Sequence, residues 1–170
     1  SGKSTLLNLI GCIDTPTRGS VIIDGNEVSN RTPDELADLR ARTIGFIFQM
    51  HNLLPTLTAV ENVALPLLLA GQSRAQALKP AYAELELVGL AARAEHFPDE
   101  LSGGEMQRVA IARALVIQPD AVLCDEPTGN LDSATSAEIL KLLRALPGEG
   151  RRVVVMVTHD LSEAFRLGTR

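Results

Sequence analysis

Apolar residues recur along this chain in two periods, and the switches between them mark its elements. SVIIDGNEV, from Ser20 to Val28, alternates as strand with a turn at Asp24-Gly25. TIGFIFQ (Thr43 to Gln49), AVLCDE (Ala121 to Glu126) and VVVMVTH (Val153 to His159) are short apolar runs that read as buried strands. Ile139, Leu142, Leu143 and Leu146 fall at helical spacing between the last two, and Thr5 to Ile10 is apolar and helical in character. Thr32, Pro33 and Glu35 form a capping box with proline at the first helical position, predicting a helix that runs towards Arg42. Three more boxes, Thr58 with Glu61, Ser73 with Gln76 and Ser102 with Glu105, open helices in a block from about Met50 to Ile117 that contains no strand pattern. Pro80 lies inside the second of these helices, where proline costs ~3 kcal/mol and is expected to kink or break it. The order of elements predicts one α/β domain: a core from residues 1–49 and 118–170, with residues 50–117 inserted as a helical subdomain.

Composition narrows what such a domain can do. At 170 residues and 45% hydrophobic, the chain holds enough apolar material for a sizeable core, which excludes a disordered segment. A net charge of −5 and no run of Lys or Arg leave no basic field for a phosphate backbone, so nucleic acid is not an expected partner. Cys12 and Cys124 sit in apolar surroundings and read as buried, reduced thiols without a catalytic role. The longest apolar run, Val63 to Ala70, is too short to span a bilayer and contains Pro66. The chain has no initiator Met and begins inside a motif, and it is read as a piece of a longer protein cut at both ends.

That motif is SGKST. A phosphate-binding loop reads GxxxxGK[ST], so Gly2, Lys3 and Ser4 are its last three positions. In this reading Gly2 lets backbone N–H groups approach the phosphates, Lys3 reaches the β- and γ-phosphates, the Ser4 hydroxyl coordinates magnesium, and Thr5 helps hold the α-phosphate. Ligands of parallel α/β sheets bind beyond the carboxyl ends of the strands. Gln49, Asp125 with Glu126, and His159 each stand at the end of a predicted strand. An apolar strand running into Asp-Glu suits metal-nucleotide hydrolysis, with Asp125 on the magnesium side and Glu126 orienting or deprotonating water. LSGGEMQRVAIARAL, from Leu101 to Leu115, adds a second phosphate-ready helix start: Ser102 caps it, and Gly103 and Gly104 remove side chains where an anion could approach the backbone.

Taken in order, the truncated Walker A SGKST, the Q-loop FQMHNLLP, the signature LSGGE, the Walker B AVLCDEP, the D-loop GNLD and the switch histidine of VTHD closely resemble the ATP-binding cassette (ABC) ATPases over essentially the whole chain. The resemblance implies a P-loop NTPase (RecA-like) core with an inserted α-helical subdomain, and ATP and Mg2+ as cofactors. It implies that Gln49 contacts the magnesium and the attacking water, that Glu126 is the catalytic base, and that His159 touches the γ-phosphate. It also implies a head-to-tail dimer in which Ser102 and Gly104 of one subunit close over the nucleotide on the Lys3 loop of the other, with Asp132 crossing the same interface.

Finer cues lie in LNLIGCIDTPTRG, FIFQMHNLLPTLTAVENVALPL and DEPTGNLDS, which look most like the lipoprotein-release, macrolide-export and cell-division group. The resemblance therefore implies a transmembrane permease partner, held at the cytoplasmic face of the membrane, with His51 to Leu57 lining the groove that receives one of its helices. The rival reading is a non-transport ABC ATPase acting on DNA or ribosomes, whose helical block is usually replaced or extended by coiled coils. The family usually stacks adenine on an aromatic upstream of the P-loop; Tyr82, the only Tyr, lies instead in the helical block.

Overall fold

The structure, a computed structural model, describes residues 2–23, 25–146 and 152–167. In chain order its elements are α1 (Lys3–Ile10), β1 (Ile22–Ile23), β2 (Asn26–Glu27), α2 (Pro33–Thr43), β3 (Ile44–Phe48), α3 (Ala59–Leu69), α4 (Arg74–Leu87), α5 (Gly103–Leu115), β4 (Ala121–Asp125), α6 (Ser133–Ala145), β5 (Val153–Val157) and α7 (Leu161–Leu167). The Ser20 to Val28 run forms a small antiparallel hairpin, with Ile22 opposite Glu27 and Ile23 opposite Asn26. Of its expected turn residues, Gly25 has a positive φ of 73°, and Asp24 lies outside the described residues.

β3, β4 and β5 make a parallel sheet with β4 in the middle. Its register sets Phe48, Asp125 and Val157 side by side at the carboxyl edge, so the residues that follow each strand emerge together. The period of two divides the strands between two faces. Ile47, Val122 and Cys124 join one apolar cluster with α3, α4, α5 and α6, while Ile44 and Leu123 join another with Leu7 of α1 and Leu36 of α2. The helical block therefore shares its core with the sheet: Val60, Val63, Leu85, Val109 and Ile111 belong to the same cluster as Ile47 and Val122. Each such side chain, fully buried, contributes ~1.5–3 kcal/mol. Gly45 lets this layer close up, because a Cβ there would lie 2.5 Å from the backbone oxygen of Ala114 in α5.

The expected boxes at Thr32, Thr58 and Ser102 close in both directions, and at Ser73 the Gln76 side chain reaches back while the Ser73 hydroxyl makes no bond to the Gln76 N–H. The Thr58 N–H donates to Glu61 Oε2 at 3.0 Å, the Ser73 N–H to Gln76 Oε1 at 3.0 Å and the Ser102 N–H to Glu105 Oε2 at 2.8 Å. Of the two outcomes expected at Pro80, the break does not occur: α4 continues through it from Arg74 to Leu87. One face of α4 carries Ala77, Ala81 and Leu85, all with no exposed surface, and packing of that face against α3 and α5 outweighs one missing backbone hydrogen bond.

Both cysteines are buried and unpaired, as read from the sequence. Burial pushes the Cys124 thiol up to about 12, and it also raises Cys12, against the opposing pull of Arg40 and Arg31. Since the thiolate is the nucleophile, iodoacetamide at neutral pH should leave both unmodified in the native protein and alkylate both in urea. Rapid alkylation of the native protein would contradict their placement.

Candidate active site

The residues expected to meet phosphate stand at the start of α1. Gly2 caps that helix in the left-handed conformation, φ 78° and ψ 0°, which glycine adopts without the penalty of a Cβ. The first N–H groups of a helix have no acceptor within it, and the helix dipole favours an anion beside them. Lys3 is half-buried, and Ser4 and Thr5 are exposed. The Ser4 hydroxyl donates to Asp125 Oδ1 at 3.3 Å, which joins the P-loop to the end of the central strand across 121 residues of sequence.

Beyond Asp125 the chain turns sharply. The Glu126 N–H donates to the Val157 carbonyl at 2.9 Å, and Glu126 itself adopts a φ of 48°. A non-glycine residue in that region is strained by about 1 kcal/mol or more and needs its surroundings to hold it there. Its carboxylate Oε1 stands 2.6 Å from Nε2 of His159. Glu126 and His159 line one cavity of about 500 Å³, together with Thr128, Gly129, Thr158 and Glu163.

Gln49, following β3, faces the segment after Glu126. Its Nε2 donates to Asn130 Oδ1 and its carbonyl accepts from Asn130 Nδ2, each at 3.4 Å. A Cβ on Gly129 would lie 2.8 Å from Gln49 Nε2, so glycine admits this approach. Asp132 caps α6, accepting the N–H groups of Ala134 and Thr135 at 3.0 Å and the Thr135 hydroxyl at 2.6 Å. The Thr135 hydroxyl, followed by these backbone donors, holds the Asp132 carboxyl below the usual carboxylate range. The signature helix α5 leans on this cap: a Cβ on Gly104 would lie 2.4 Å from Thr135 Cγ2, and one on Gly103 would lie 3.5 Å from Leu131 Cδ2. At the head of α5 the Ser102 hydroxyl and backbone N–H both bond Glu105, whose carboxyl these bonds hold low, with help from Arg93.

The structure thus brings Ser4 to Asp125, Glu126 to His159, and Gln49 to the loop before Asp132. It sets Gly103 and Gly104 against the start of α6. Several participants escaped the sequence. Asn130 was visible only as a letter of GNLD. Thr128, Thr158 and Glu163 form a hydroxyl-carboxylate bridge that no spacing rule marks. Gln107, buried in α5, donates its Nε2 to the Pro127 carbonyl at 2.7 Å, next to Glu126. Arg113 of the same helix donates to the carbonyls of His51 and Asn52 at 2.7 and 2.6 Å, and burial lowers the pKa of its guanidinium. A Gln or Arg on the polar side of a capped helix carries no signal that its partner lies on a loop 20 or 60 residues away.

Residues 1–129 match the ABC transporter family. Among curated proteins, an uncharacterized ABC transporter ATP-binding protein of Thermotoga maritima is 55% identical over 95% of this chain and 68% of its own length. The lipoprotein-releasing system ATP-binding protein LolD of Bordetella pertussis is 49% identical over 98% of this chain and 72% of its own. The macrolide export ATP-binding/permease protein MacB of Rhodospirillum rubrum is 51% identical over 98% of this chain, which spans 25% of that longer protein. Among solved structures, the ATP-binding cassette MJ0796, in a dimeric post-hydrolysis state bound to ADP and Pi, superposes with a TM-score of 0.86 at 47% identity, over 96% of this chain and 72% of that one. The chain belongs to the ABC transporter family. Within it, the parallel sheet, the P-loop helix and the signature helix make it an ATP-binding, ATP-hydrolysing cassette of the P-loop NTPase fold.

Proposed function

We propose that this cassette is the motor subunit of a transporter of the export or lipoprotein-release type, closing head to tail with a second copy around Mg-ATP and opening after hydrolysis. The convergence of Ser4 with Asp125 and of Glu126 with His159 at one edge of the sheet carries the assignment of roles. Lys3 and the α1 N–H groups hold the phosphates, Glu126 takes the proton of the attacking water, and His159, now paired with Glu126, meets the γ-phosphate. Gln49 lies one residue beyond β3, on the water side of the same site.

Magnesium fits this donor set. It takes hard oxygen ligands, keeps several waters, and is usually held by one or two carboxylates together with substrate phosphates. Ser4 Oγ and Asp125 Oδ1, 3.3 Å apart, are two such oxygens; the bound ion would neutralise charge on the β- and γ-phosphates. The Ser4–Asp125 hydrogen bond keeps the pair in place before the ion arrives.

The dimer reading rests on the signature. Ser102 is exposed at the head of α5, and Gly103 and Gly104 after it carry no side chains, which suits a helix start that receives an anion from a second copy. A two-fold arrangement repeats any such contact in both directions, giving two composite sites per pair. Permease docking is supported by Met50 and Leu54, which are 68% and 43% exposed beside the carbonyls that Arg113 secures. No helix among the described residues is long and apolar enough to cross a membrane. A peripheral position at the cytoplasmic face, held through the permease, follows from this reading.

Turnover of the full-length protein tests the proposal. ATP hydrolysis should require magnesium, stop in EDTA, and be unaffected by duplex DNA or ribosomes. Stimulation by either of the last two would point instead to an ABC ATPase outside transport.

A further inference from the structure

Among the described residues, Glu163 of α7 is the only buried charged residue, at 9% relative exposure. Both of its carboxylate oxygens are occupied by threonine hydroxyls: Thr128 Oγ1 donates to Oε1 and Thr158 Oγ1 donates to Oε2, each at 2.7 Å. Thr128 comes two residues after Glu126, and Thr158 immediately precedes His159. Each threonine is tied in turn to its own loop. Thr158 Oγ1 accepts the Asp160 N–H at 3.0 Å, on the far side of His159, while the Thr128 carbonyl accepts the Leu131 N–H at 3.0 Å and the Glu126 carbonyl accepts the Gly129 N–H at 3.1 Å. A buried carboxylate is costly to desolvate, and an apolar side chain could fill the same space without that penalty. What the carboxylate supplies is two acceptors in a fixed geometry, bridging the loops after β4 and β5.

We infer that Glu163 is a positioning residue for ATP hydrolysis, holding the Thr128 and Thr158 hydroxyls so that Glu126 and His159 keep their separation at the mouth of the cavity. The inference rests on the roles proposed above for Glu126 and His159. It assigns Glu163 no contact with nucleotide. Glu126 sits in a strained backbone conformation that surrounding bonds must maintain, and the Thr128 link is one of them.

The test uses the full-length protein, with kcat, KM for ATP, equilibrium ATP affinity and thermal midpoint measured for each variant. Glu163→Ala should lower kcat roughly 10- to 10²-fold, the scale of a small misplacement of reacting groups. KM and ATP affinity should stay within about twofold, because the P-loop half of the site is untouched. Glu163→Gln should retain more turnover than Glu163→Ala, since its amide can accept from one threonine and donate to the other. In a His159→Ala background Glu163→Ala should cause a smaller further loss, because the part of its effect exerted through Thr158 and His159 is already gone and only the part through Thr128 and Glu126 remains. A folded Glu163→Ala protein with wild-type kcat, or one whose loss is undiminished in the His159→Ala background, overturns the inference. Should Glu163→Ala not fold, Thr158→Val carries the same expectations and the same overturning results, and Thr128→Val carries those for kcat, KM and ATP affinity. The underlying assignment fails separately, through unchanged turnover in Glu126→Gln, whatever Glu163 does.

Discussion

Glu126→Gln in the full-length protein should lower ATP turnover by roughly 10² to 10⁴ while ATP binding survives. The substitution keeps the shape of the side chain and an oxygen that can still meet His159 Nε2, so the 2.6 Å contact does not require rearrangement. It removes the group that can accept a proton from water. With Ser4, Asp125 and the α1 N–H groups intact, ATP should bind and then persist, and the ATP-bound dimer should accumulate because hydrolysis no longer opens it. Light scattering of the variant with Mg-ATP should show twice the subunit mass, and the wild type should show it only transiently. Wild-type turnover in the variant would remove Glu126 from the role of base.

The second large effect is expected at the signature. Asp caps helices about as well as Ser, so Ser102→Asp should keep α5 folded, although it places a carboxylate beside Glu105. It also sets a negative charge where a triphosphate from a second copy would arrive, in place of a neutral hydroxyl. Turnover should fall by about 10² or more, the scale of losing a preorganised donor to a charged oxygen. Binding of ATP to the isolated subunit should change little, since Lys3 and Ser4 lie on a different element. A variant that lost ATP affinity as a monomer would place Ser102 in its own chain's phosphate site.

Much of this was legible in the sequence because it is written locally. The capping boxes at Thr32, Thr58, Ser73 and Ser102 are statements about three consecutive peptide units, and all four helices begin where those boxes lie. The strand ends at Gln49, Asp125 and His159 were legible because a parallel sheet in register delivers its carboxyl ends to one edge. The continuity of α4 through Pro80 was not legible, because local propensity takes no account of the packing of Ala77, Ala81 and Leu85, which belongs to the tertiary structure. The pairing of His159 with Glu126, the Asn130 bridge to Gln49 and the buried Glu163 share a different cause. Each depends on loop geometry after the strand, including the left-handed turn at Glu126, and a loop's path is set by what it packs against.

On the head-to-tail reading, each nucleotide is enclosed by Lys3 of one copy and Ser102 of another. Mixing two variants decides between shared and private sites: Lys3→Ala and Ser102→Asp proteins, each inactive alone, are combined in equal amounts and ATP turnover is measured. In a head-to-tail pair one site of every mixed dimer has both Lys3 and Ser102 intact, so random pairing should restore turnover towards about a quarter of wild type. If the signature instead serves its own chain, no subunit in the mixture holds a complete site, and turnover no higher than that of either variant alone would rule out sites shared between copies.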